Sequence, residues 1–436
     1  MWSLLLVGCG QAHPDVPIDA GNDVSADAQA DVFAPLPDCT VDGGTLSDWQ
    51  GWHRSPALGA CCMTDVPDDV DASVPPLAWV PCDGGLGCST LDIQWDAGIH
   101  PGTFFNGRVS RGPDGNARYL QFSRVLQDDT PDVQIYEYDV YDMSSAAPVA
   151  AWRAEFTEKW TWGECIAAPF VAPTGIMLRA TDYRYDEPFS EWFGWGTPEQ
   201  MMRAPQLVRF GGKEVVGMQS LGASDTTFAF DVMGASPYRV AMGSAMVVRG
   251  FAGVPLSLAF VEGNDAFFTS EYGNAGWAQI WRLDADGSTV LVRQRPNRHV
   301  TAPATDGTTL FWVEAYGPNP DLAQPMDAVE VWAAPYSADP TAINAAAHLL
   351  AAFPGSRVPA FPVAFHGTYL MSTVISKPLW RAVRADGTVS AFDSPDPGFW
   401  LQSGFYVDQT EMWTLGGQTN SYLDTAILRV TLPPFN

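Results

Sequence analysis

A repeat with a period near 50 residues constrains the fold of this chain more than any other feature. A short apolar motif, with tryptophan at its centre in three copies and leucine in the fourth, occurs at residues 280–283, 331–334, 379–382 and 427–430. Its central positions, 281, 332, 380 and 428, are 51, 48 and 48 residues apart. Such spacing is typical of repeat folds, in which each unit buries its apolar face against the next unit.

Turn signals divide each repeat into shorter segments. A turn and an aromatic-rich stretch precede the motif, as at Asp306-Gly307 and His366-Gly367, and a second turn follows it at Asp286-Gly287 and Asp386-Gly387. Asp-Gly suits a tight hairpin because glycine accepts a positive φ and the aspartate side chain bonds the local backbone. Each repeat is therefore predicted to form three or four short antiparallel strands.

Repeats of this kind predict an all-β fold, a seven-bladed β-propeller over residues 95–436, with six blades as the fallback. Weaker copies of the motif at residues 135–138, 208–210 and 238–240 supply the remaining blades. The chain resembles TolB-like and related bacterial propellers in architecture alone, and a pair of β-sandwiches is the alternative fold. We expect one short helix at residues 342–352, a last strand at 428–432 that is third in its blade, and ring closure near Ala78.

The N-terminal residues resemble a membrane-targeting signal. Leu6-Val7-Gly8-Cys9 resembles the lipobox of a bacterial lipoprotein, which implies a signal remnant at residues 1–9 and lipidation of Cys9. The residue after the cysteine is Gly10 rather than Asp, and this implies sorting to the outer membrane. The segment lacks a basic n-region and has a short apolar stretch, so the true start codon is expected upstream; a chance apolar N-terminus with a free cysteine is the alternative.

Two further segments precede the propeller. Residues 10–38 carry an aspartate about every fourth position among alanine, valine and proline, and this composition predicts a disordered acidic tether. Residues 39–94 form a cysteine-containing segment that is expected to pack on the propeller or close it. No other run of about 18 apolar residues is found, so no membrane-spanning helix is predicted.

Cysteine usage agrees with export. Apart from Cys9 there are six cysteines, which suit disulfides in an oxidising compartment: Cys39, Cys61, Cys62, Cys82, Cys88 and Cys165. Six cysteines allow 15 connectivities, and Cys82 and Cys88 bracket a glycine-rich loop that a disulfide closes easily. A zinc site is disfavoured because no CxxC pair is present, and free buried thiols are the remaining alternative.

The charge of the chain excludes several partners. The formal net charge is −27, and only 23 residues are lysine or arginine. A protein with this negative charge is not expected to bind nucleic acid or anionic lipid, because both are negatively charged as well. We therefore expect no nucleic-acid partner and membrane contact through the lipid anchor alone. The expected oligomeric state is a monomer.

Propellers bind ligands by precedent on the face that carries the loops between second and third strands, and an aromatic segment is predicted to lie there. Residues 183–195 read as a long insertion rich in aromatic side chains and carboxylates, including Tyr183, Tyr185, Trp192 and Trp195. Flat rings beside acids suit sugars or a protein partner. The alternative is a loop that merely packs on the disc.

Two other groups are predicted on the same face. Arg293, Arg295, Arg298 and His299 form a basic cluster that suits either an anionic ligand or internal ion pairs. Glu271-Tyr272 and Glu314 with Tyr316 end adjacent second strands. The two carboxylates are a candidate acid–base pair or Ca²⁺ site, and repeat-encoded structure is the alternative.

Catalytic signatures are absent from the sequence: it has no GxSxG, no HExxH and no glycine-rich phosphate loop. The six histidines show no metal-ligand spacing, so neither a metal site nor a cofactor is predicted, apart from the Ca²⁺ alternative. The favoured function is a non-catalytic envelope lipoprotein that binds a glycan or a protein. The alternative is an extracytoplasmic polysaccharide hydrolase or lyase that uses Glu271 and Glu314.

Overall fold

The computed structural model contains seven antiparallel sheets and one short helix in the residues it describes. These residues are 31–32, 34–35, 78–82, 87–92, 104–130, 133–144, 149–159, 165–182, 190–196, 206–209, 218–224, 226–232, 237–241, 246–250, 256–270, 279–317, 326–356, 359–373, 379–392, 400–417 and 425–436.

Six sheets take four consecutive strands each from the chain. Sheet 1 contains β5 (Phe104–Arg111), β6 (Ala117–Thr130), β7 (Val133–Asp142) and β8 (Val149–Lys159). Sheet 2 contains β9 (Cys165–Ala172), β10 (Gly175–Asp182), β11 (Ser190–Gly196) and β12 (Gln206–Arg209). Sheet 3 contains β13 (Met218–Ala223), β14 (Thr227–Val232), β15 (Pro237–Ala241) and β16 (Met246–Arg249). Sheet 4 contains β17 (Leu256–Glu262), β18 (Asp265–Ser270), β19 (Ile280–Leu283) and β20 (Thr289–Arg293). Sheet 5 contains β21 (His299–Thr305), β22 (Thr309–Tyr316), β23 (Ala328–Pro335) and β24 (His348–Pro354). Sheet 6 contains β25 (Pro359–Phe365), β26 (Thr368–Thr373), β27 (Trp380–Arg384) and β28 (Val389–Phe392).

Sheet 7 joins the two ends of the described chain. It takes β29 (Trp400–Val407), β30 (Glu411–Gly417) and β31 (Thr425–Thr431) from the C-terminus, and β4 (Cys88–Asp92) and β3 (Ala78–Pro81) from the N-terminal part. The strand that pairs with β31 is β4, with Leu428 opposite Thr90, and β3 lies outside β4. Closure therefore uses residues 88–92 directly, rather than the stretch near Ala78.

The sheets are arranged as a β-propeller. The first strands of successive sheets pack against one another in chain order, from β5 to β29, and β29 packs back against β5. Meandering sheets in a closed circle, each with its first strand innermost, define this architecture. The central strands are buried on both faces because each sheet lies between two others; β22, for example, has six consecutive buried residues.

The repeat predicted from the sequence corresponds to one strand position. The central residues Trp281, Trp332, Trp380 and Leu428 all lie in the third strand of their sheet. The turns before the second strands are held by side chains: Asp306 Oδ1 accepts hydrogen bonds from the backbone N–H groups of Thr308 and Thr309, at 2.9 and 2.8 Å. Gly307, inside this turn, has φ +87°.

Two local predictions are wrong. Residues 208–209 of the weak motif belong to β12, the fourth strand of sheet 2, and the third strand is β11. The predicted helix ends early: α1 covers Pro340–Ala346, and His348–Pro354 form β24. The Asp339 side chain caps the helix by accepting a hydrogen bond from the Thr341 N–H, but pairing with β23 overrides the helical preference of the later alanines and leucines.

The N-terminal segments are described only in part. Asp31–Val32 (β1) and Ala34–Pro35 (β2) pair with β16 and β12, while the rest of the predicted tether lies outside the described residues. Cys82 and Cys88, two of the six disulfide candidates, form a disulfide, which is one of the pairings that the sequence left open. Cys39, Cys61 and Cys62, and the side chain of Cys165, lie outside the described part. The described helix is not long and apolar enough to cross a membrane.

Candidate functional site

The two faces of the propeller are distinguished by their connections. Because strands alternate in direction, turns between strands 1 and 2 and between strands 3 and 4 share one face, here called the hairpin face. Connections between strands 2 and 3, and from one sheet to the next, share the opposite face, here called the crossover face. Of the predicted ligand residues, Arg295, Arg298 and Tyr316 lie on the crossover side, while a cavity opens at the hairpin face.

An ion-pair network, here called the Arg–Glu cluster, links sheets 4 and 5 on the crossover side. Its members are Arg293, Arg295, Arg298, Glu314 and Glu330. Glu314 has no exposed surface, and its Oε1 accepts hydrogen bonds from Arg293 Nε and a terminal nitrogen of the same guanidinium, at 2.9 and 2.6 Å. A guanidinium that donates two bonds to one carboxylate is a strong, oriented pair.

The other oxygen of Glu314 faces two more arginines. Glu314 Oε2 lies 3.4 Å from Arg295 Nε and 3.5 Å from an Arg298 terminal nitrogen. Arg298 also donates to Glu330 Oε2. Exposure increases outward, since the side chains of Arg293, Arg298 and Arg295 are 7, 26 and 42% exposed.

Strand register explains why this place needs several cations. Glu314 and Glu330 are directly opposite each other in β22 and β23, as are Trp312 and Trp332. Like charges opposite each other destabilise a sheet, so the arginines offset a repulsion that is built into the pairing. Arg293 also lies over both tryptophan rings, at 5.2 and 5.5 Å from their centres.

The tryptophans complete the cluster, and the sequence analysis did not include them. The indole N–H of Trp312 donates to Glu314 Oε1 at 3.1 Å, and that of Trp332 donates to Glu330 Oε2 at 3.0 Å. In each pair the residues are two apart in a strand, and a period of two places them on one face. The sequence signal was therefore Trp-x-Glu or Glu-x-Trp, which occurs again as Glu411 and Trp413.

Three of the predicted ligand residues meet the cluster in different ways. Arg295 and Arg298 are brought together at its exposed edge, and the Arg298 guanidinium lies 4.9 Å from the centre of the Tyr316 ring. His299 is only 2% exposed and begins β21. Burial lowers the pKa of His299, and the side chain is not presented to a surface ligand.

The aromatic segment has a different place from the one predicted. Trp192 and Trp195 belong to β11, where they pair with Ala180 and Met177, so the loop prediction is wrong for residues 190–196. Sheet 2 is not a neighbour of sheets 4 and 5 in the ring. Tyr183 and Tyr185 lie outside the described residues.

Only one member of the predicted carboxylate pair, Glu314, lies within the described residues. Glu271 and Tyr272 lie outside the described residues. Glu314 is fully buried, with one oxygen bound by Arg293 and the other facing Arg295 and Arg298. In this position Glu314 has no surface from which to protonate a substrate. Its observed surroundings match the ion-pair alternative for the arginines.

A cavity of about 800 Å³ opens around the propeller axis at the hairpin face. First strands and their turns line it, and Arg111 crosses it from sheet 1 to donate to Glu262 and, at 3.3 Å, to the Thr305 carbonyl. Arg108 also lines the cavity, and burial lowers its pKa to about 9. This site was not predicted from the sequence, although Gly107, Gly222 and Gly404 in three first strands are a signal of close packing around the cavity.

The walls of this cavity hold carboxylates that are already engaged. Burial alone raises the pKa of Asp306, but hydrogen bonds from Thr309, Thr308 and Gly367 outweigh it and lower the pKa. Among the described residues, no three His, Cys, Asp or Glu side chains are grouped to hold a metal ion.

Comparisons with known proteins add no family. No protein-family model and no curated protein matches this chain. Among solved structures, the chain is similar to the β-propeller domain of the Trilobed protease from Pyrococcus furiosus, with 9% identity, a TM-score of 0.46, and coverage of 78% of this chain and 98% of that one. For BamB from Moraxella catarrhalis the values are 11%, 0.39, 92% and 100%, and for lmo1340 from Listeria monocytogenes 10%, 0.41, 74% and 91%. Because these TM-scores are below 0.5, the propeller assignment rests on the strand order of this chain.

Proposed function

We propose that this protein is a non-catalytic binding protein of the bacterial cell envelope, whose crossover face contacts a glycan or a protein partner. The observation that carries the proposal is the Arg–Glu cluster. It holds two arginines at the surface on a buried, hydrogen-bonded base, and this is the arrangement expected of a recognition site. We further propose one blade per sheet, hence seven blades, supported by the seven sheets and the circular order of the first strands.

The surroundings of Glu314 support binding over catalysis. A general acid must reach the reacting atom of the substrate, and Glu314 is enclosed by arginines and by Trp312. A carboxylate held in this way serves to fix the cations around it. The exposed cations, rather than the acid, then meet the partner.

The extracytoplasmic location rests on the N-terminal signal and on cysteine chemistry. The Leu6-Val7-Gly8-Cys9 sequence supports a lipid anchor in the outer membrane. A disulfide between Cys82 and Cys88 suits an oxidising compartment. Together they support an envelope protein that is held by acyl chains.

Two experiments test the proposal. The chain is expressed in a Gram-negative host with a complete signal peptide, and membrane retention is compared with that of Cys9→Ser. We expect the wild type in the outer-membrane fraction with an acylated N-terminal peptide and the variant in soluble periplasm. The same location for both would overturn the anchor.

The second experiment tests binding and catalysis together. The full-length Cys9→Ser protein is screened by thermal shift against envelope oligosaccharides and by cross-linking in envelope extract. A ligand at about 100 times its Kd stabilises by roughly 2.7 kcal/mol, which a thermal shift detects. Shortening of a polysaccharide that Glu271→Gln abolishes would replace the binding proposal with the hydrolase or lyase.

A further inference from the structure

We infer that the exposed edge of Arg295 is a binding site for one anionic group of a ligand, a carboxylate or a phosphate, with Arg298 beside it. The inference deepens the proposed function because it gives the chemistry by which a partner is recognised on the crossover face. It depends on the geometry of three arginines around two glutamates.

The Arg–Glu cluster contains three arginines and two glutamates. Arg293 pairs with Glu314, and Arg298 pairs with Glu330. Arg295 is the third cation, and its contact is with an oxygen of Glu314, a carboxylate that Arg293 already binds. Among the residues that the structure describes, the cluster therefore carries one positive charge more than its carboxylates offset.

The contacts of Arg295 define its orientation. Its Nε faces the buried Glu314 at 3.4 Å, and its guanidinium lies 5.7 Å from the centre of the Trp332 ring. The Arg295 side chain is 42% exposed, and because Nε is the nitrogen that faces Glu314, we take the terminal N–H₂ groups as the edge offered to a ligand. Two parallel N–H donors on one plane match the two oxygens of a carboxylate or phosphate.

Arg295 is partly immobilised by its neighbours, which lowers the side-chain entropy that it loses on binding a ligand. A free arginine side chain loses rotamer freedom when it binds a ligand, and this opposes binding. Arg295 is held by Glu314 and Trp332 before a ligand arrives, so less freedom remains to be lost. Arg298, fixed between Glu330 and the Tyr316 ring, supplies a second oriented cation.

The charge of the whole chain limits the size of the anion. The whole chain has a net charge of −27, so a long polyanion would be repelled beyond the cluster. At physiological salt the screening length is about 8 Å, so the cluster attracts one anionic group close by. The site therefore suits a single acidic group on an otherwise neutral ligand.

Sheet 7 offers a matched control. Arg429 binds Glu411 at 2.5 Å, and Trp413 donates to the same carboxylate, so the pair resembles part of the cluster. The Arg429 side chain is 43% exposed, as much as Arg295, but its carboxylate is bound by no second arginine in the described residues. Arg429→Gln therefore removes an equally exposed charge without removing a surplus cation from the cluster.

The test titrates the full-length Cys9→Ser protein with inorganic phosphate, glucuronate and N-acetylalanine, with glucose as the neutral control, by isothermal calorimetry. We expect the anions to bind and glucose not to bind. Arg295→Gln should weaken anion binding at least tenfold, about 1.4 kcal/mol, while Arg429→Gln binds as wild type. The anion that binds best distinguishes a sugar acid, a peptide carboxyl group and a phosphate as the source.

Arg295→Lys separates charge from geometry, since lysine keeps the charge but lacks the planar pair of donors. It should recover less than half of the lost binding energy. Unchanged anion binding in Arg295→Gln, or equal losses in Arg295→Gln and Arg429→Gln, would overturn the inference. If an envelope partner binds Arg295→Gln as well as wild type, the proposed function stands but this site does not carry it. If the protein binds anions but no envelope partner is found, the anion site stands and the proposed function fails.

Discussion

Replacing Glu314 by glutamine tests whether the Arg–Glu cluster is a structural base. Glutamine has nearly the same shape and keeps one acceptor oxygen for Arg293 and Trp312, so the change removes mainly the charge. Arg293 is only 7% exposed and would be left as a buried cation without its carboxylate. The amide N–H₂ of glutamine would also face Arg295 and Arg298, where Glu314 Oε2 now lies 3.4 and 3.5 Å from their nitrogens.

The size of the effect follows from two independent estimates. Unit charges about 4 Å apart interact by about 4 kcal/mol at an effective dielectric constant of 20. Removing one partner of a buried ion pair costs about 3–5 kcal/mol in measured cases. Since glutamine keeps the hydrogen bonds to one oxygen, we expect a loss of about 3 kcal/mol in the free energy of unfolding.

Urea unfolding at neutral pH and thermal melting of the full-length Cys9→Ser protein measure the loss. The sequence from the start of β3 to its last residue spans residues 78–436, and we take this range as the cooperative unit. For roughly 350 residues, an unfolding entropy near 2.1 cal/mol/K per residue converts 3 kcal/mol into a fall of about 4 °C in Tm. Glu330→Gln is the control; its side chain is 12% exposed and its partner Arg298 is 26% exposed, so the expected loss is about 1 kcal/mol.

A double variant completes the argument. Arg293→Gln added to Glu314→Gln removes the uncompensated cation, and we expect it to restore at least about 1 kcal/mol. Equal losses for Glu314→Gln and Glu330→Gln, or no recovery in the double variant, would refute the view that Glu314 is the buried anchor of the cluster.

Three further predictions concern the ring itself. Gly404→Ala should cost about 1–3 kcal/mol by urea unfolding, because the added Cβ would lie 2.6 Å from Leu370 Cδ2 and 2.8 Å from Trp380 Cζ3; a stability equal to wild type would contradict the close packing of sheet 7 on sheet 6. Asp306→Asn should cost about 1–3 kcal/mol at neutral pH, since its Oδ2 accepts from the Gly367 N–H at 2.6 Å and an amide nitrogen there would not. Because the folded pKa of Asp306 is lowered, its contribution is present above the unfolded pKa of about 3.9 and is lost as the pH falls through the folded pKa. The difference in stability between wild type and variant should therefore narrow as the pH is lowered below the unfolded pKa. Replacing Cys82 and Cys88 by serine opens a loop of sequence separation 6, and loop-closure entropy predicts a loss of about 2 kcal/mol by thermal unfolding; no change in Tm would show that the β3–β4 hairpin needs no covalent link.

The propeller was predictable because one apolar motif marks one strand position. Trp281, Trp332, Trp380 and Leu428 share the third strand, and turn residues such as Asp306 mark the start of the second. Sheet 2 was misread because its third strand, β11, is dense in aromatic and acidic residues that resemble an exposed loop. Which of several aromatic stretches becomes the third strand is decided by pairing with β10 and β12, and local composition does not contain that pairing.

The Arg–Glu cluster, too, could be predicted from the sequence only in part. The arginines attract attention in a chain with few cations, and the period of two relates Trp312 to Glu314 and Glu330 to Trp332 within each strand. Only the register of β22 with β23 brings the two carboxylates opposite each other, and it is this repulsion that several arginines offset. Within the described part of the chain, three arginines face two carboxylates, and Arg295 is the exposed surplus cation. The functional proposal therefore depends on a pairing between strands that the sequence alone does not contain. The sequence left anionic ligands and internal ion pairs as alternatives; the structure shows the ion pairs, and the anionic ligand is our proposal.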